Sequence, residues 1–116
     1  MNDESTTISE LREMVREFVA ERDWQQFHAP KNISMALTVE AGELMEHFQW
    51  LTLDASRAIR DDQQAKQAVG EELADVVCYA LAMANELDLD LASALEQKMA
   101  KNRLKYPAED YRGRYE

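Results

Sequence analysis

Two pairs of carboxylates, Glu40 with Glu43 and Glu72 with Asp75, sit three residues apart inside runs whose apolar residues recur at every third or fourth position. In a helix, residues i and i+3 share a face and their side chains touch, so each pair is forced into proximity. Like charges placed this way weaken a helix, more strongly when they are buried. A chain carrying two such pairs on two apolar helices therefore needs a positive group between them.

The runs themselves have two stripes each. In the first, Leu37, Ala41, Leu44, Phe48 and Leu51 form a core seam, and Ile33, Ala36, Glu40, Glu43, His47 and Trp50 form a second seam displaced by roughly 100°. In the second, Val69, Leu73, Val76, Ala80, Met83 and Leu87 form the core seam, flanked by Glu72, Asp75, Tyr79 and Ala82. The acids thus border the core in both helices, and two helices of one design can pack with their acidic seams converging. Gly42 in mid-helix costs roughly 1 kcal/mol against Ala, which predicts a close approach there.

Only three Gly and two Pro in 116 residues leave little material for hairpins, so the rest of the chain also reads as helix. Ile8, Leu11, Val15, Phe18 and Val19 predict a helix from Ile8 to about Arg22, capped by Thr7 or Ser5. Asp23 to Pro30 reads as a loop carrying Trp24, Phe27 and His28. The acidic helices are expected from Asn32 or Ser34 to Trp50 and from Gln63 to Glu86, joined by a polar connection with a short helical turn near Ala55–Ile59. Leu91, Leu95 and Met99 carry a further helix to about Asn102 or Arg103, N-capped by Asp90 and ended by Tyr106-Pro107. The expectation is an all-α, four-helix-bundle-type domain over residues 8–107, with a disordered N-terminus at 1–7. The tail at 108–116, with Tyr111 and Tyr115, is expected to be loosely held or to cross a partner subunit.

A net charge of −10 with no basic stripe argues against polymeric nucleic acid and anionic membrane as partners, but not against a small anion that arrives with a divalent cation. No stretch approaches the length of a transmembrane helix and Met1–Leu11 has no apolar signal core, so the expected location is the cytoplasm. The lone Cys78, between Val77 and Tyr79, reads as a small core residue in a reducing compartment.

Glu40, Glu43, Glu72 and Asp75 supply the oxygen ligands that Mg²⁺ prefers, with Mn²⁺ as a substitute. Zinc is disfavoured because His28 and His47 lie on separate elements, and a di-iron site because neither acidic pair ends in a Glu-x-x-His motif. Lys98 and Arg103 offer charge-assisted donors to phosphate, although the helix dipole alone also favours cations at a helix C-terminus. Trp24, Phe27, Trp50 and Tyr79 offer faces for a base, or are core; the spacing leaves both open.

Together these residues resemble a known family. Glu40-x-x-Glu43 followed by Glu72-x-x-Asp75 is similar to the metal-binding signature of the MazG-like all-α nucleoside triphosphate pyrophosphatases. Glu21-Arg22-Asp23-Trp24-Gln25-Gln26-Phe27-His28, Phe48-Gln49-Trp50, Lys98-Met99, Asn102-Arg103 and Tyr106-Pro107 resemble its dCTP pyrophosphatase branch. The resemblance implies cleavage of a (deoxy)nucleoside triphosphate to monophosphate and pyrophosphate, as house-cleaning of the nucleotide pool. It implies that Glu40, Glu43, Glu72 and Asp75 hold Mg²⁺ and form the catalytic set. Lys98, Asn102 and Arg103 would then face phosphate or sugar, and Trp24, His28, Trp50 and Tyr79 would shape the base and sugar pocket. It also implies a homodimer or homotetramer with sites built across subunits. The competing readings are a non-catalytic nucleotide-binding regulator and an acidic helical interaction protein.

Overall fold

Four of the helices start where a side chain can satisfy free backbone N–H groups. Thr7 and Glu10 form a reciprocal capping box at the start of α1 (Ile8–Glu21). Thr52 caps α3 (Leu53–Ala58), Asp62 caps α4 (Gln63–Glu86) and Asp90 caps α5 (Leu91–Lys105), each by a side-chain oxygen that accepts from a backbone N–H three residues on. In the computed structural model, which describes residues 1–114, α2 (Pro30–Glu46) and a short α6 (Ala108–Tyr111) complete an all-α chain. Single 3₁₀ turns occupy Gln25–Phe27 and Ile59–Asp61. Residues 2–6 of the N-terminal segment are tied into a turn by the Asn2 and Thr6 side chains. Tyr115 lies outside the described residues.

The boundaries of α2 differ from those expected. The helix begins at Pro30, since proline at the first helical position gives up an N–H that has no partner there anyway. It ends at Glu46 with His47 as its C-cap, so Trp50 lies beyond the helix. α1 and α4 end alike. Trp24 N–H donates to Val19 C=O (3.0 Å) and Asp23 N–H to Ala20 C=O (3.1 Å), while Leu89 N–H donates to Ala84 C=O (2.9 Å) and Asp88 N–H to Asn85 C=O (3.3 Å). These are Schellman closures, with Asp23 (φ 53°) and Asp88 (φ 52°) taking the left-handed position that glycine usually fills. The first of them turns Trp24 back onto α1.

α4 is the central element, with α2 and α1 packed against it. The core comprises Val15, Val19, Ile33, Leu81 and Ala82, flanked by Leu11, Cys78, Tyr79, Met83 and Leu91. Asn85 locks α1 to α4: its Oδ1 accepts from Arg12 Nε (2.9 Å) and Arg16 Nη2 (3.0 Å), and its Nδ2 donates to Arg12 C=O (3.0 Å). Arg12 also donates to Leu89 C=O (2.6 Å) and Ala84 C=O (3.1 Å).

The seams are buried differently from the sequence expectation. Ile33 and Ala82, from the two acidic seams, are among the most buried residues in the chain, whereas Leu73 and Leu87 from the supposed core seam of α4 are half exposed. Gly42 likewise has open space around it, so no close approach within the chain explains it. The acidic seams therefore turn toward the core along much of their length, although Asp75 and Trp50 are exposed, while Ala41, Leu73 and Leu87 of the apolar seams face outward. α5 is anchored at Leu91, while Leu95, Met99 and Leu104 (83% exposed) lie open. The chain exposes 9543 Å², where a compact monomer of this length would expose roughly 6,500 Å². Its radius of gyration is 17.0 Å, against about 13 Å for a compact domain.

Ile33, 2% exposed, fills the junction of α1, α2 and α4. Ile33→Ala should lower the unfolding free energy by about 3 kcal/mol and Ile33→Val by about 1 kcal/mol, measured by urea denaturation at one fixed protein concentration. Equal, negligible losses for both would show that this junction is not the core.

Candidate metal and substrate site

The inward turn of the acidic seams gathers carboxylates from two helices. One oxygen each from Glu40 and Glu43 on α2 and Glu72 on α4 lie within 4.8 Å of one another. Asp75, one turn along α4 from Glu72, lines a cavity together with Glu40. The Oε2 atoms of Glu40 and Glu72 are buried and have no hydrogen-bond partner. Buried oxygens without a donor carry a desolvation cost that a cation would relieve, so the donor set fits a hard divalent ion.

The carboxyls respond to this crowding. Glu40 is pushed up to about 7, first by removal from water and then by the neighbouring Glu43, Asp75 and Glu72. Glu72 is raised for the same leading reason, with Glu43 and Asp75 adding to it and His47 opposing. Burial likewise raises the Cys78 thiol and the Tyr79 phenol, with Asp75 and Glu40 contributing to both. Cys78 is thus a neutral wall residue rather than a thiolate.

Beside the carboxylates opens a cavity of about 460 Å³, lined by Met14, Val15, Phe18, Trp24, Glu40, Asp75, Cys78 and Tyr79. A smaller space of about 200 Å³ continues from it between Trp24, Phe27, His28, Asn32 and Tyr79. Trp24 stands edge-on to Phe18, with ring centroids 5.8 Å apart, and His28 lies 6.4 Å from Tyr79. Asn32 Nδ2 donates to Phe27 C=O (3.1 Å) and so ties the aromatic turn to the first turn of α2. One end of the site is therefore anionic and the other aromatic, in a space that suits a nucleobase.

Of the residues singled out from the sequence, Glu40, Glu43, Glu72, Asp75, Trp24, His28 and Tyr79 come together around these spaces. Trp50, 88% exposed, lines neither of them. Lys98, Asn102 and Arg103 lie on α5, which packs against neither α2 nor the acidic stretch of α4 to any extent. Met14 and Phe18 line the cavity but were not expected to. Their signal was the apolar stripe of α1, too wide for one buried face because it runs through Met14 as well as Val15 and Phe18 as well as Val19.

The profile of the MazG-like family matches residues 35–115. The chain is 44% identical over 108 residues to dCTP pyrophosphatase 1 of Rattus norvegicus, covering 92% of this chain and 63% of that one. It is 43% identical over 102 residues to the Homo sapiens protein of the same name, covering 88% and 60%. The chain thus spans about three-fifths of the length of these curated relatives. A solved pyrophosphatase structure from Archaeoglobus fulgidus superposes with a TM-score of 0.81 at 33% identity, covering 92% of this chain and 98% of that one.

The raised Glu40 has a measurable consequence without metal. The folded chain holds this proton up to about pH 7, whereas the unfolded chain releases it near 4.5. Between those values the native state binds more protons, so stability is complete below the lower pH and is lost as pH rises through the upper one. The thermal midpoint of chelator-treated protein should therefore fall between pH 5 and 7.5, and Glu40→Gln should flatten that fall. A midpoint that rises over this range in the parent, with the same slope in the variant, would contradict the assignment.

Proposed function

The chain belongs to the MazG-like family, and from that premise we propose that it is a Mg²⁺-dependent nucleoside triphosphate pyrophosphohydrolase, with Mn²⁺ as a substitute ion. Its substrate is dCTP or a related deoxynucleotide, released as monophosphate and pyrophosphate. The observation that carries this reading is the meeting of Glu40, Glu43 and Glu72 oxygens within 4.8 Å at the mouth of an aromatic cavity. The relatives named dCTP pyrophosphatase and the pyrophosphatase neighbour support the same reading.

Glu40, Glu43, Glu72 and Asp75 hold the ion. When bound, it neutralises phosphate oxygens and makes water more acidic. Water attacks the α-phosphorus, the bond from that phosphorus to the α–β bridging oxygen breaks, and pyrophosphate leaves. The water's proton passes to a carboxylate of the quartet. Trp24, His28 and Tyr79 hold the base, with Phe18 and Met14 closing its wall. The role in the cell is removal of unwanted nucleotides from the pool, in the cytoplasm. Among the described residues, no helix is long and apolar enough to cross a membrane.

The working form is a homodimer or homotetramer. The open apolar residues Leu73, Leu87, Leu95, Met99 and Leu104 and the excess exposed surface support this. In the assembly, Lys98, Asn102 and Arg103 and the exposed Trp50 serve a site shared between copies, with the α5 cations taking up the charge of the phosphates. A monomeric mass by sedimentation at micromolar concentration would count against the shared site; a dimeric or tetrameric mass is the expected result.

Glu43→Gln should keep the helical circular dichroism of the parent while lowering pyrophosphate release from dCTP by at least about a hundredfold. Undiminished release in the variant would remove the carboxylate cluster from the chemistry. A parent that binds dCTP without releasing pyrophosphate would be a regulator, and one that binds neither nucleotide nor metal would be an interaction protein.

A further inference from the structure

The three clustered carboxylates lack a permanent cation. Among the described residues, the one group able to carry positive charge within 4.0 Å of any of them is His47, whose Nε2 lies 4.0 Å from Glu72 Oε1. His47 is the C-cap of α2, one turn after Glu43, and from there it reaches across to α4. The two oxygens of Glu72 thus have different surroundings: Oε1 faces the imidazole, while Oε2 is buried without a partner. At 4.0 Å the contact is longer than a hydrogen bond, so what Oε1 meets is the polar N–H edge of the imidazole, which biases the rotation of the carboxylate. The ring lines neither the aromatic cavity nor its extension, which separates it from the residues that hold the base.

We propose that His47 is a positioning residue for the metal site: its Nε2 fixes the Glu72 carboxylate by attracting Oε1, which presents Oε2 to the ion. The inference rests on the metal-dependent reading above. Outer partners of metal-ligating side chains commonly set affinity by 10- to 100-fold, because a ligand held in one orientation loses less freedom when the ion binds.

Calorimetric titration of Mn²⁺ into the metal-free protein tests it, without substrate or turnover. His47→Leu and His47→Ala should weaken Mn²⁺ binding about tenfold or more. His47→Gln, which keeps an N–H donor at similar reach, should stay within about threefold of the parent. His47 is half exposed at a helix end, and all three variants should keep the parent's thermal midpoint in chelator, which separates positioning from a structural role. Leu and Ala variants that bind Mn²⁺ like the parent, while Glu43→Gln loses binding, would overturn the role of His47 and leave the metal site standing. A Gln variant as weak as the Leu variant would also overturn it. A parent that takes up no Mn²⁺ would overturn both.

Discussion

Mutual repulsion among carboxylates in a half-dry pocket is the constraint on which this molecule depends. Three oxygens within 4.8 Å, two of the side chains carrying a buried oxygen without a donor, form an arrangement that folding alone would not favour. Without a cation the chain answers by holding protons: burial first, and then the neighbouring carboxylates, raise Glu40 and Glu72. A bound cation offers the alternative answer. On the proposed function, protons and metal compete for the same oxygens, and this competition links stability, metal affinity and catalysis in one site.

The packing of α1 and α2 on α4 holds the site against that repulsion. Ile33, Val15, Val19, Leu81 and Ala82 bury apolar surface beside the carboxylates, and the Asn85–Arg12 network fixes α1 on the same helix. Turning the acidic seams inward has a second effect: it leaves Leu73, Leu87 and the apolar residues of α5 open. A single arrangement thus gathers the carboxylates and leaves an apolar surface open, which on the proposed function is where a second copy packs. The Schellman turn at Asp23 belongs to the same design, since it sets Trp24 beside Phe18 over the cavity.

Much of this was legible in the sequence because it depends on local rules. The bounds of α4 and the caps at Thr7 and Asp90 follow from periodicity and side-chain donors and acceptors within one turn. The offset between acidic and apolar seams followed from helix geometry, but which seam faces inward did not. Periodicity marks Leu73 and Ile33 as apolar without saying which neighbour covers them. The end of α2 was misjudged because Phe48 and Trp50 continue the helical period past the point where the backbone leaves it. The role of Phe18 and Met14 was hidden because a wide apolar stripe on α1 reads as core until the cavity beside it is seen. Trp50 and the α5 cations show the same limit, since among the described residues neither Trp50 nor α5 packs onto the carboxylate site.

Proton release on metal binding reports the competition between protons and metal at these carboxylates. Mn²⁺ should be titrated calorimetrically into metal-free protein at pH 6.5 in two buffers of different ionisation enthalpy, and again at pH 9. The binding heat should differ between the buffers at pH 6.5, because the raised carboxyls give up protons to the buffer, and the difference should shrink at pH 9 as Glu40 deprotonates. Tight binding with buffer-independent heat at pH 6.5 would contradict the account.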